Sequence, residues 1–418
     1  MMKVIVKGPI LSRSGYGEHA RLVFRSLRNM PQKFDVYVIP IEWGLSNWPA
    51  PSDDPEIRDI FECMNKYAHV PNQQFDVSLQ ITIPTEWENL ATHNIGVTAG
   101  IETDKASPEW IQATEIVDRI IVVSNHAKTS LANTKYPHQL PSGESRLLKC
   151  NKEIDVIGYP VKTVSDIGLE LELESDFNFL TVGQVSPRKN VGDLIKWFVE
   201  EFKDEDVGLV VKLHTNNNSY IDFTQTKRKV ESWCNKFPNK KCKVHLLHGN
   251  MSNEEMHSLY CHPKIKAFVS ITHGEGYGLP IFEAAYCGLP VVVPAWSGHI
   301  DFLYAPVMNE VSKKYKNTPL FTKIKYDIKV VEPVAVWDGV INPDSKWCYP
   351  EKRSYKKCLR NMLEVYPAKK KMAEDLKSHL ISNFHKDLIY KKYTDIVLSF
   401  EGEEDQEIED LFSQLTIE

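Results

Sequence analysis

At 418 residues the chain exceeds the size at which one hydrophobic core keeps growing, so two domains of roughly 150 to 200 residues are expected. Its 42% hydrophobic and 25% charged residues exclude a mostly disordered or fibrous protein, and its formal net charge of −6 excludes a global attraction to nucleic acid or anionic lipid. The eight cysteines (Cys63, Cys150, Cys234, Cys242, Cys261, Cys287, Cys348, Cys358) form no CxxC pair and no repeated spacing, which points to reduced thiols rather than a zinc ribbon or disulfide framework.

The amino terminus, MMKVIVKGPILSRSGYG, reads as a first strand, because its apolar run is too short for a secretory leader. No stretch approaches the about 18 consecutive apolar residues of a membrane span, so a cytoplasmic protein is expected. Short β-rich runs follow at Val36, Val77, Asn94, Ile120 and Asp155, with helix-like segments at Glu18 to Asn29, Glu109 to Ile116 and His126 to Asn133. That alternation predicts βαβ units around a parallel sheet.

The acidic stretch LELELESD, Leu169 to Asp176, ends this series and a second begins: FNFLTVG, VGLVVKL, KVHLLHG, KAFVSI and LPVVVPA. Helices from Val191, Asp222, Ser252 and Pro280 separate these runs, the third opened by a capping box of Ser252 and Glu255. The seam is placed near residues 163 to 176, between two doubly wound, Rossmann-like α/β domains facing a cleft. After Tyr349 the chain turns helical, including an amphipathic stretch from Tyr355 to Tyr366, and it ends in the acidic tail EGEEDQEIED.

Two clusters in the second series can carry chemistry. In THGEGYGLPIFEA, Gly276 and Gly278 let backbone approach a ligand, and Pro280 suits the start of a helix whose amino end would hold a phosphate without a metal. Glu283, expected in the first turn, could accept hydrogen bonds from a ribose diol, and Glu275 from another polyhydroxylated group; a helix-dipole partner and a surface loop are the structural alternatives. In LTVGQVSPRKNVGDL, Arg188 and Lys189 stand between a strand and a helix of the same domain, where two cations could neutralise a departing diphosphate. The triplet Asp204 to Asp206 sits in a charged helix end and is rejected as a metal site.

GQVSPRKN, THGEGYGLPIFEA with its E-x7-E spacing, and WSGHIDFL together resemble the retaining GT-B glycosyltransferases of family 4, the glycosyl transferases group 1. SGYGEHARLVFRSL resembles their glycine-rich amino-terminal loop and helix, and the stretch from Ala99 to Leu131 resembles the acceptor domain of members with an acid-rich loop there. The resemblance implies an acceptor-binding domain over residues 1–168, a nucleotide-sugar domain over 169–384, and, over 385–418, a helix returning to the first domain followed by the tail. It implies that Arg188 and Lys189 grip the diphosphate, Glu283 the ribose and Glu275 the hydroxyls of the transferred sugar. Backbone amides of Gly276, Tyr277 and Gly278 would add contacts, and Gly15 and Gly17 would let the amino-terminal loop close over the donor. The expected activity is hexosyl transfer with retention from a UDP-, GDP- or ADP-sugar, with no metal and no further cofactor. The hydroxyl acceptor is a saccharide, a lipid-linked glycan, a protein or a nucleic acid.

The chain departs from that pattern twice. Gln184 follows Gly183 where many relatives carry an Arg, and TAGIETD stands where many carry a His, which leaves Glu102 or Asp104 to serve the reacting sugar. WSGHIDFL offers Gly298, His299 and Asp301 near the cleft floor, with Ser297 as a helix cap in the structural alternative. Two other readings stay open. Gly15 to Ala20 fits the dinucleotide fingerprint of an oxidoreductase, although PILSRS separates it from its strand, and a nucleotide-sugar-binding protein without turnover would keep the same residues.

Overall fold

The computed structural model describes residues 1–44, 46, 54–70, 73–139, 145–308 and 313–401. The first part of the chain lays down β1 (Met2–Gly8), α1 (Gly15–Arg28), β2 (Phe34–Pro40), α2 (Pro55–Ala68), β3 (Val77–Ile81), β4 (His93–Thr98), α3 (Pro108–Ala113), β5 (Arg119–Val122) and α4 (Asn125–Asn133). A hairpin of β6 (Lys135–Gln139) and β7 (Ser145–Lys149) precedes β8 (Glu153–Val156). Six of these strands form a parallel sheet in the order β2-β1-β3-β4-β5-β8.

Residues 157–177 carry neither helix nor strand and cross to the second sheet. There follow β9 (Asn178–Gln184), α5 (Val191–Phe202), β10 (Gly208–His214), α6 (Tyr220–Cys234), β11 (Lys243–Leu247), α7 (Asn253–Cys261), β12 (Ile265–Val269), α8 (Leu279–Tyr286) and β13 (Val291–Pro294). Then come the hairpin β14 (Tyr304–Met308) and β15 (Tyr315–Pro319), β16 (Thr322–Ile324), the pair β17 (Tyr326–Val330) and β18 (Lys346–Pro350), and helices α9 (Lys352–Glu364), α10 (Tyr366–Asn383) and α11 (Lys386–Leu398). The second sheet, also parallel, runs β11-β10-β9-β12-β13-β16.

The expected strands are present, but four details differ. The run at Asp155 stops at Val156, and just beyond it Gly158 must stay bare, because the Tyr277 ring lies 2.9 Å from any Cβ it would carry. The antiparallel pairs β6–β7, β14–β15 and β17–β18 and the short β16 add to the expected strands; KYPHQ, SRLLK and YKNTP lack the apolar alternation that marks a half-buried strand, whereas YDIKV of β17 has it. α1 begins at Gly15 rather than Glu18, started by the Ser14 hydroxyl accepting from the Gly17 amide. α6 begins at Tyr220, two residues early, where Ser219 caps the Asp222 amide. The capping box of Ser252 and Glu255 is present as expected.

The apolar face of α9 is fully covered: Tyr355, Leu359 and Met362 pack into the core of the second sheet. Each such burial is worth about 1.5–3 kcal/mol, so this helix has no apolar stripe to offer a membrane. No helix of the described residues is long and apolar enough to cross one. Asp204 to Asp206 serve structure, Glu205 pairing with Arg360 and Asp206 accepting from Ser175. The acidic tail lies outside the described residues. α11 returns across both domains to pack on α1, where the buried His19 meets the Tyr393 hydroxyl at 2.9 Å.

Candidate active site

In the second sheet the strand order reverses between β9 and β12. The loops leaving the carboxyl ends of those two strands diverge and open the crevice in which open α/β sheets bind ligands. Residues 185–190 leave β9 and residues 270–278 leave β12, so topology brings the two sequence clusters together.

Glu275 is the hub. Its carboxylate accepts from Lys189 Nζ at 2.6 and 2.8 Å and from Arg188 Nη1 at 3.1 Å. Arg188 Nη1 also donates to the Gly274 carbonyl at 2.6 Å, and its Nε faces Glu102 Oε1 at 3.3 Å. Burial by itself would raise the Glu275 carboxyl, but Lys189 and then Arg188 outweigh it and hold it at about 2. Burial lowers Lys189, with Arg188 beside it, although Glu275 pulls the other way, while Arg188 is raised against burial by Glu102 and Glu275. The two cations share one buried carboxylate, and they shift oppositely because Glu102 pairs directly with Arg188 but acts on Lys189 only as its smallest influence.

The Glu275 backbone is fixed as firmly as its side chain. Its amide donates to Ser297 Oγ at 2.8 Å and its carbonyl accepts from the Gly298 amide at 2.9 Å. Ser297 has a φ of +75°, a conformation that L residues adopt only when their surroundings impose it. Ser297 is therefore no side-chain cap for the short 3₁₀ turn Gly298–Asp301, contrary to the structural alternative above. A Cβ on Gly298 would lie 1.9 Å from the Gly276 carbonyl, so only glycine lets these loops meet.

α8 starts at Leu279, with Pro280 second and Gly278 as amino cap at φ +95°. Glu283 therefore lies in the second turn, a correction to its expected place in the first. Among the described residues, the amides of Gly276, Tyr277 and Gly278 have no hydrogen-bond acceptor. The Tyr277 ring is core, packed against Tyr159, Phe282 and Phe302, so only its backbone can reach a ligand. Glu283 Oε2 accepts from the buried Tyr260 hydroxyl at 3.0 Å, and burial pushes its carboxyl up, against the pull of Lys162. Lys162 in turn pairs with Glu18 of α1 at 3.1 Å.

The first domain supplies the opposite wall. A Cβ on Gly274 would lie 2.3 Å from the Glu102 carbonyl, and one on Gly276 2.4 Å from that of Ala99. Glu102 joins the cluster, whereas Asp104 is exposed and exchanges hydrogen bonds with the Lys346 backbone. Asp301 also bridges the domains, accepting from the Asn125 amide at 2.7 Å at the start of α4. His299 is buried on the Pro294 carbonyl at 2.7 Å, and His126 packs its ring edge-on to Trp296. His93 stacks on Phe400. Gly15 and Gly17 lie in the first turn of α1, where a Cβ on Gly17 would lie 2.0 Å from the Ser12 carbonyl. The Ser12 carbonyl therefore accounts for a glycine at position 17 by itself, which weakens the dinucleotide fingerprint.

Residues 170–304 match the family model described as Glycosyl transferases group 1, a span that holds both clusters. No curated protein matches the sequence. HepE from Anabaena, solved with UDP and glucose, is similar in structure with a TM-score of 0.58 at 13% identity, over 96% of this chain and 100% of that one. Sucrose-phosphate synthase from Thermosynechococcus elongatus reaches 0.64 at 11% identity over 96% and 100%. A glycosyltransferase from Rickettsia africae reaches 0.58 at 14% over 96% and 99%.

The fold is GT-B. Within it, three members of the candidate site carry no sequence signal: Lys162, Tyr260 and Ser297. Lys162 lies in the irregular crossing segment, Tyr260 near the end of α7, and Ser297 just before the 3₁₀ turn Gly298–Asp301. The GT-B crevice joins them to the acids through side-chain contacts that chain spacing does not encode.

Proposed function

We propose that the protein is a glycosyltransferase that moves a hexose or related sugar from a nucleotide-diphosphate sugar to a hydroxyl acceptor, with retention and without a metal at the donor site. The observation that carries this reading is the convergence of Arg188, Lys189 and Glu275 beneath the amino end of α8 at the switch point of the second sheet. A diphosphate there would meet two cations and the amides of Gly276 to Gly278. Arg188 has five N–H donors, and those on Nη2 have no partner among the described residues, so it can take a phosphate oxygen without releasing Glu275. Glu275, ionised and fixed from backbone and side chain alike, is suited to accept from hydroxyls of the transferred sugar, and Glu283 from the ribose.

As the sugar–phosphate bond breaks, negative charge grows on the leaving diphosphate, and fixed cations in a partly desolvated crevice stabilise that charge. With retention, the leaving phosphate helps deprotonate the acceptor on the same face, and the protein's part is positioning. Glu102 is the acid of the first domain that faces the reacting centre in this reading. The acceptor class stays a saccharide, a lipid-linked glycan, a protein or a nucleic acid, and the donor a UDP-, GDP- or ADP-sugar. The test is a thermal-shift screen with UDP, GDP, ADP and their sugar conjugates, followed by release of nucleotide from the one that binds. One nucleotide diphosphate should raise the melting point and its sugar conjugate should be turned over; a melting point that ignores all of them sinks the reading.

A further inference from the structure

A second cluster lies outside the donor crevice, where α7 meets the end of α8. His257 and Cys261 stand four residues apart on α7 and share one face of it, and Cys287 closes α8 as its carboxyl cap. Both ring nitrogens of His257 face sulfur: Nε2 lies 3.6 Å from Cys261 Sγ, and Nδ1 lies 3.4 Å from Cys287 Sγ. One donor atom from each residue can be chosen so that all three lie within 4.8 Å of one another.

The two close approaches use different ring nitrogens, so for one ion the relevant bound is the 4.8 Å that encloses one donor atom of each residue, which side-chain rotation must shorten to the edges of a metal tetrahedron. With zinc–sulfur bonds of about 2.3 Å and zinc–nitrogen bonds of about 2.0 Å, neighbouring ligand atoms stand roughly 3.5 to 3.8 Å apart. A single imidazole nitrogen already lies within 4.8 Å of both sulfurs. Two thiolates and an imidazole are the donor set that zinc-type ions take over magnesium or calcium. Cys287 is buried, while His257 and Cys261 are half-buried, so a fourth ligand can arrive from the solvent side.

We propose that His257, Cys261 and Cys287 bind one divalent ion of the zinc type, with water in the fourth position. The ion ties α7 to α8 and has a positioning role. Cys287 lies one helical turn beyond Glu283, and Cys261 follows Tyr260, so the ion fixes the two helices whose side chains meet in the Tyr260–Glu283 bond. A disulfide between the two thiols is the competing arrangement, and it would leave His257 without a role.

The test uses the full chain, freed of metal by chelation and kept reduced. Cobalt(II) should develop a thiolate charge-transfer band and tetrahedral d–d bands that saturate at one equivalent, and zinc should displace it and raise the melting temperature. Cys261→Ser and His257→Gln should keep the metal-free melting temperature, lose the cobalt bands and weaken zinc binding by at least about tenfold. A wild-type chain whose spectrum and melting temperature ignore both metals overturns the proposal. So do cobalt bands that survive in Cys261→Ser, or freshly isolated protein whose mass shows Cys261 and Cys287 already joined.

Discussion

Glu102, on the loop after β4 of the first sheet, faces Arg188, on the loop after β9 of the second, at 3.3 Å. One acid from the first half of the chain thus completes a cluster otherwise drawn from the second half, and it ties the chemistry of the crevice to the approach of the two sheets.

Lys189→Ala removes the closest partner of a buried carboxylate. In a transfer assay with the donor found by thermal shift, turnover should fall by at least about tenfold, the scale of a lost charged hydrogen bond. Glu283→Ala should cost a similar factor, with its effect largest on donor KM. Wild-type rates in both variants would contradict the site.

Glu275→Gln separates charge from hydrogen bonding. The two cations are then released from their acid, so nucleoside diphosphate binding, read by calorimetry, should hold or tighten while sugar transfer drops at least about tenfold. The same variant has a pH signature. The folded carboxyl is held at about 2, below its unfolded value of about 4.3, so its stabilisation is present above pH 4.3 and lost as pH falls toward 2. Denaturant melts at pH 4.5 and pH 2.5 should show a smaller acid loss in Glu275→Gln than in wild type.

Gly276→Ala places a methyl group 2.4 Å from the Ala99 carbonyl, across the domain contact. Backbone cannot yield as a flexible side chain does, so the sheets must part locally. Transfer should fall at least about tenfold while the nucleotide alone still raises the melting temperature. Equal loss of nucleotide binding and transfer would place the strain inside the second domain instead.

His19 links α1 to Tyr393 of α11, and burial pushes its imidazole down to about 3. The unfolded chain, with a value near 6.5, binds the proton first as the medium acidifies. The stability that a neutral His19 contributes is therefore complete above about pH 6.5 and declines as pH falls toward 3. His19→Gln should flatten stability between pH 6.5 and 4.5 in denaturant melts, relative to wild type.

The apolar runs at Val4, Val77, Phe179 and Val291 by themselves determined the strands, and alternation with amphipathic helices determined two parallel sheets, because burial on both faces of a sheet is a local demand on composition. Arg188, Lys189, Glu275 and Glu283 were legible for a related reason: glycine, proline and charge at a strand-to-helix turn mark a ligand loop wherever it lies. Only the tertiary structure decided that Glu275 joins both cations, that Glu102 rather than Asp104 faces them, and that Gly17 packs on Ser12. Only it brought Lys162 to Glu18 and His257 between two cysteines. Such contacts close over long stretches of chain, and their geometry follows from how far sheets and helices can approach, which neighbouring residues do not encode.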